Sequence, residues 1–163
     1  MVRIYLDSSA YIKEFSSEKG SEAVEKIFEI YSRGKIDIAT SQWTIGESIA
    51  AIDRKQRRGE ITDEEMRDNI ASVLGRSYEL AQNENFNIVP VRPELVTASL
   101  KYVTAHHVSA DDALHLFSAI VSLSEIFVAA DAHLVNAAKK EGFESYNIET
   151  TEDAESLLRK IIS

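Results

Sequence analysis

Short runs of β-branched and aromatic residues alternate along this chain with longer stretches of helical period. Val2-Arg3-Ile4-Tyr5-Leu6 reads as a strand, and so do residues 36–40, 87–91, 126–129 and 145–148. Between them apolar residues return at three- and four-residue spacing; in 21–32, Val24, Ile27, Phe28 and Tyr31 share one helical face. Further helices are expected at 8–15, 42–58, 62–83, 93–106, 109–123, 132–141 and 152–161. Their ends carry local signals. Gly34, Gly59 and Gly142 stop three of them, Pro93 opens another in its first turn, and Thr62-Asp63-Glu64-Glu65 has the spacing of a capping box. A strand that returns parallel to its predecessor needs a crossover element, so this alternation predicts an α/β sandwich with a mainly parallel sheet. Without repeats or a linker, the 163 residues are expected to form a single domain over 1–163.

Composition removes several function classes. The chain has no cysteine, which rules out a disulfide framework, thiolate-bound zinc and a thiol nucleophile; any metal must sit on oxygen or imidazole. Eighteen Lys and Arg against 27 Asp and Glu give a net charge of −9, which opposes a general phosphate-binding coat. A carboxylate-built metal site is compatible with that balance, since bound cations offset its charge. No run approaches the roughly 18 apolar residues needed to span a bilayer, and the N-terminal segment is too polar for a signal sequence. A soluble, cytoplasmic protein is expected, with no membrane partner.

In parallel α/β sheets ligands bind beyond the carboxyl ends of the strands, so the residues just after each strand matter most. Asp7 follows Ile4-Tyr5-Leu6 directly, and Asp131 follows Ile126-Phe127-Val128-Ala129 after one residue. Each also has an ordinary role as a helix N-cap, and Asp111 and Asp112 fit the first turn of a helix, where its dipole favours acids. Glu47 is the only charge in Trp43-Thr44-Ile45-Gly46-Glu47-Ser48-Ile49-Ala50-Ala51-Ile52, on a helix that reads as apolar, and hence buried, on both sides. A buried carboxylate needs a cation, a metal or a proton; Arg54 or Lys13 is the plain choice of salt-bridge partner. Carboxylates gathered at a sheet edge repel one another unless a cation separates them, and hard divalent cations prefer oxygen cages. Mg²⁺ or Mn²⁺ suits such a site, and activating water for attack on a phosphodiester suits such an ion.

The motifs Tyr5-Leu6-Asp7-Ser8-Ser9-Ala10-Tyr11-Ile12-Lys13, Glu47, Asp112-Ala113-Leu114-His115-Leu116 and Phe127-Val128-Ala129-Ala130-Asp131, with Leu134 and Gly142-Phe143 downstream, together resemble the PIN-domain family, and within it the VapC-type toxins. The resemblance spans essentially the whole chain. It implies a three-layer α/β/α sandwich and metal-dependent RNA cleavage, with Asp7, Glu47, Asp112 and Asp131 as the catalytic, metal-holding acids and Asp111 as a substitute ligand. It also implies a homodimer and a small cognate antitoxin that occupies the site. Ser8 stands where the family often carries Ser or Thr. Ala129 stands where a hydroxyl is usual, a departure that removes a hydrogen-bonding group near Asp131.

His115 is expected to be packed or hydrogen-bonded rather than a ligand, and His106 and His107 to close a helix. Trp43 is expected in the core or a dimer interface. Lys13 and the run Arg54-Lys55-Gln56-Arg57-Arg58 are the best candidates for phosphate contacts, against a plain reading of that run as a solvated helix end. The rival function is a catalytically inactive PIN-like RNA- or protein-binding module, favoured by the −9 charge and by Ala129.

Overall fold

A computed structural model describes residues 1–162. Five strands, β1 (Arg3–Leu6), β2 (Asp37–Ser41), β3 (Phe86–Val89), β4 (Ile126–Ala129) and β5 (Glu144–Asn147), form one sheet in the order β3-β2-β1-β4-β5. All four pairings are parallel, with Tyr5 opposite Ala39 on one side and Phe127 on the other. The helices are α1 (Ser8–Tyr11), α2 (Ser21–Ser32), α3 (Gln42–Arg57), α4 (Asp63–Ala81), α5 (Pro93–His106), α6 (Ala110–Val121), α7 (Ala132–Lys140) and α8 (Thr151–Ile162).

The period of two along each strand divides the apolar residues between the sheet's faces. Ile4, Leu6, Ile38, Ile126 and Val128 pack with residues of α1, α2, α8 and the end of α4. Tyr5, Ala39, Phe127 and Ala129 pack on the other side with α6, α7 and Tyr102 of α5. Both faces of the central strands are therefore covered, which explains why β1 and β4 read as continuous apolar runs. This is the expected three-layer α/β/α sandwich, with a sheet that is wholly parallel.

The helix after Asp7 is shorter than its sequence pattern suggests, because α1 ends at Tyr11 and a 3₁₀ turn carries the chain over Ile12–Glu14. The capping box forms as expected: Thr62 accepts from the Glu65 N–H at 3.2 Å, and the Glu65 carboxylate accepts from the Thr62 N–H at 2.7 Å. After β1 the chain lays β2 and then β3 on one side, and returns to place β4 and β5 on the other. The strand order thus reverses between β1 and β4. The crevice beyond their carboxyl ends is where open parallel sheets bind ligands, and the residues there are Asp7, Ala130 and Asp131. None of the described helices is long and apolar enough to cross a membrane.

Candidate active site at the strand-order reversal

Asp7 is the N-cap of α1 and only 3% exposed. Its Oδ1 accepts from the Ala10 N–H at 2.9 Å. The Ser9 hydroxyl lies 2.7 Å from Oδ1 and 2.9 Å from Oδ2, donating to that carboxylate, while Ser9 Oγ accepts from the Ala130 N–H at 2.8 Å. Ser9 therefore ties the end of β1 to the end of β4. Burial raises the Asp7 pKa to about 6; His115, Ser9 and the Ala10 N–H pull it down, and the carboxylate of Asp112 adds to the rise.

Glu47 reaches the same place from α3. Thr40 Oγ1, at the end of β2, lies 2.8 Å from both the Leu6 carbonyl oxygen and Thr44 Oγ1, and Ser41 caps the helix by accepting from the Trp43 N–H at 3.1 Å. These contacts fasten the first turn of α3 to β1, and Glu47 follows one turn later. Its partner is neither Arg54 nor Lys13. Glu47 Oε2 accepts from His115 Nε2 at 2.6 Å, and the Glu47 side chain is 24% exposed. The helix is also not buried on both sides, since Trp43 is 47% exposed and Ala50 is exposed. Small and aromatic residues on that side mimicked a second apolar face.

Helix α6 brings Asp112 and His115 to one side, three residues apart. Ser109 caps it by accepting from the Asp112 N–H at 3.3 Å. Asp112 is half-buried, and burial raises its pKa; Ser109 and His115 oppose the rise, whereas Asp111 and Asp131 add to it. Asp111 is exposed, and hydrogen bonding to Ser109 holds its pKa below the usual carboxylate range. His115 is 1% exposed, with Tyr5 Oη 2.9 Å from Nδ1. Burial works against its charged form, but the Glu47 hydrogen bond and the carboxylates of Asp7, Glu47 and Asp112 outweigh it and raise the imidazole pKa. Asp131 is exposed, caps α7 by accepting from the Leu134 N–H at 2.8 Å, and acts electrostatically on Asp112. The structure thus gathers Asp7, Glu47, Asp112 and His115 into one electrostatic group and leaves Asp131 at its rim. Among the described residues, no three Asp, Glu or His side chains already converge closely enough to hold a metal ion.

A cleft of about 430 Å³ opens beside Glu47, the member of the group that lines it, together with Ser9, Arg54, Lys55, Asp111 and Ala130 among others. The basic run divides here. Arg57 pairs with Asp53 at 2.9 Å and Arg58 with Glu60 at 3.8 Å, whereas Arg54 and Lys55 line the cleft and make no ion pair among the described residues. Lys13 is buried and pairs with Glu149 at 2.7 Å and Glu18 at 3.7 Å, so its ammonium is already engaged. Two contributors escaped the sequence reading. Ser9 was overlooked beside Ser8, although it lies two residues beyond Asp7, the spacing at which a hydroxyl reaches back to an N-cap carboxylate. Tyr5 stood in the same motif, but its hydrogen bond to His115, 110 residues on, had no local signal.

The wholly parallel sheet and its acid-lined reversal define an α/β protein with a polar site at the switch point. The PIN-domain family profile matches residues 4–140, and the chain belongs to that family, whose members are generally nucleases. No curated protein sequence matches the chain. Among solved structures it is similar to PAE2754 from Pyrobaculum aerophilum, at 16% identity over 99% of this chain and 96% of that one, with a TM-score of 0.62. It is also similar to VapC20 of Mycobacterium tuberculosis, described as a sarcin–ricin-loop-cleaving toxin, at 14% identity over 86% and 95% of the two chains and a TM-score of 0.58. A third likeness is to FitAB bound to an IR36 DNA fragment, at 13% identity over 90% and 96% of the chains and a TM-score of 0.62.

Proposed function

We propose that this protein is a divalent-metal-dependent endoribonuclease, the toxin of a toxin–antitoxin pair. The observation that carries the reading is Asp7, a carboxylate 3% exposed at the switch point, its pKa driven to about 6 by burial with Asp112 adding to the rise. A bound cation relieves that cost. The donor set is oxygen-rich and free of thiolate, which fits Mg²⁺ or Mn²⁺. Asp7, Glu47 and Asp112 would hold the ion, with Asp131 at the rim and Asp111 as substitute ligand. When bound, the ion supplies a more acidic water and charge neutralisation at the phosphodiester.

The remaining work falls to the chain's own residues. Ser9 and the Ala10 N–H orient the Asp7 carboxylate, and Arg54 and Lys55 offer uncommitted cations to backbone phosphates entering the cleft. That VapC20 is a sarcin–ricin-loop-cleaving toxin supports RNA as substrate, and a small antitoxin as inhibitor belongs to the same toxin reading. A homodimer and a cytoplasmic location belong to the same reading. The competing one, an inactive RNA- or protein-binding module, is favoured by the net charge of −9 and by Ala129. Calorimetric titration of Mn²⁺ into wild type and Asp7→Asn, followed by RNA cleavage with both, separates the two. Saturable binding and cutting, both lost in Asp7→Asn, support the nuclease. No binding together with no cleavage, or equal cleavage by the two proteins, overturns it.

A further inference from the structure

His115 and Tyr5 are more deeply buried than any of the acids, and both are polar. A buried imidazole needs a partner for each ring nitrogen, and His115 has two: Tyr5 Oη at 2.9 Å from Nδ1 and Glu47 Oε2 at 2.6 Å from Nε2. The Tyr5 ring is itself fixed, stacked on Phe127 with centroids 5.4 Å apart and planes 15° from parallel, across the β1–β4 pairing. Tyr5 is fully buried beside Asp7 and Glu47, which keeps its phenol protonated. The hydroxyl donates to Nδ1 or accepts from it as the ring requires, and Nε2 donates to the Glu47 carboxylate either way.

We infer that Tyr5 and His115 are positioning residues for Glu47. They run a line from the sheet through α6 to α3 and engage Oε2, so that Glu47, which lines the cleft, keeps its other oxygen uncommitted to His115. The inference rests on the metal-dependent reading above. Glu47 has three rotatable side-chain bonds and no Lys or Arg partner among the described residues; besides a side-chain interaction with the exposed Asp111, the buried His115 is what holds it. Partners of this kind, one bond behind the ligands, typically alter metal affinity by about 10–100-fold when removed.

The test is Mn²⁺ affinity, measured by calorimetry without substrate. His115→Leu is expected to weaken binding by ~10–100-fold, and Tyr5→Phe, which keeps the ring and its stacking, by ~3–10-fold. His115→Gln places an amide N–H near the former Nε2 and should recover affinity to within ~3-fold of wild type; packing alone predicts no such recovery. If Glu47→Gln loses binding while Tyr5→Phe and His115→Leu bind like wild type, the positioning role is overturned and the metal site stands. If wild type and Glu47→Gln bind Mn²⁺ equally tightly, Glu47 is no ligand and the inference falls while the metal reading stands; if neither binds, the inference falls together with the metal site it rests on. Should His115→Leu not fold, Tyr5→Phe and His115→Gln decide: wild-type affinity in Tyr5→Phe, or affinity lost in His115→Gln, overturns the inference.

Discussion

Asp7 and Asp131 each follow a parallel strand and each cap the next helix, Asp7 accepting from the Ala10 N–H at 2.9 Å and Asp131 from the Leu134 N–H at 2.8 Å. In local terms they are one motif used twice. Their surroundings differ, since Asp7 is buried just beyond the central strand beside His115 and Asp112 of α6, whereas Asp131 stands at the exposed start of α7. Burial drives the pKa of Asp7 to about 6. A capping motif therefore says where a carboxylate points, and only the tertiary layers say what charging it costs.

The widest separation between the two is expected in catalysis. Asp7→Asn should lower RNA cleavage by more than ~100-fold, at 1.36 kcal/mol per decade, and Asp131→Asn by only ~10-fold. Single-turnover rates measure both; equal losses would erase the distinction drawn from burial. Next comes metal-linked stability. Mn²⁺ at a hundred times its Kd should stabilise wild type by ~2.7 kcal/mol and Asp131→Asn nearly as much, with no gain in Asp7→Asn, as read by thermal unfolding before and after chelation.

In metal-free protein the sign reverses for Asp7. Its folded pKa of about 6 lies above the ordinary 3.8, so its contribution to stability is full below pH 3.8 and is lost as pH rises through about 6. Asp7→Asn keeps the cap and removes that charge. At pH 7.5 with chelator it should be ~1–3 kcal/mol more stable than wild type, a gain that vanishes near pH 3.5. Asp131→Asn should stay within ~0.5 kcal/mol at both pH values. Calorimetric scans at the two pH values decide, and an unchanged or lower Tm for Asp7→Asn at pH 7.5 contradicts the buried-charge account.

The smallest effect concerns the link between the two loops. Ser9→Ala removes the hydroxyl that favours ionised Asp7 and frees the Ala130 N–H, so the Asp7 pKa rises further. The acid limb of the cleavage profile should move to higher pH, and stability should fall by ~1 kcal/mol. A profile that stays in place would mean Ser9 serves packing alone.

Much of the architecture was legible because local signals and periodicity agree. Residues 21–32, 93–106 and 126–129 have the expected bounds, the first stopped by Gly34 at φ 66° and the second opened by Pro93. Sequence also indicated the order of the acids along the chain. It did not indicate who pairs with whom. Glu47 and His115 are 68 residues apart and Lys13 and Glu149 are 136 apart, and no local pattern encodes a side-chain meeting across layers. The basic run shows both sides of this limit. Arg57 finds Asp53 one helical turn back, as spacing suggests, whereas the cleft beside Arg54 and Lys55 exists only once α3 lies against the β1–α1 turn.

The parallel pairing of β1 with β4 also sets when the site exists. Leu6 pairs with Val128, and the Asp7 N–H donates to the Val128 carbonyl at 3.1 Å. During synthesis at about 5–20 residues per second, ~6–25 s separate the two strands' emergence from the ribosome. Until β4 arrives, Asp7 has neither its neighbouring strand nor the Ser9 bridge to Ala130. The carboxylate group is therefore completed only after β4 has been made, so a chain stalled before residue 126 holds Asp7 without the strand and the serine bridge that fix it.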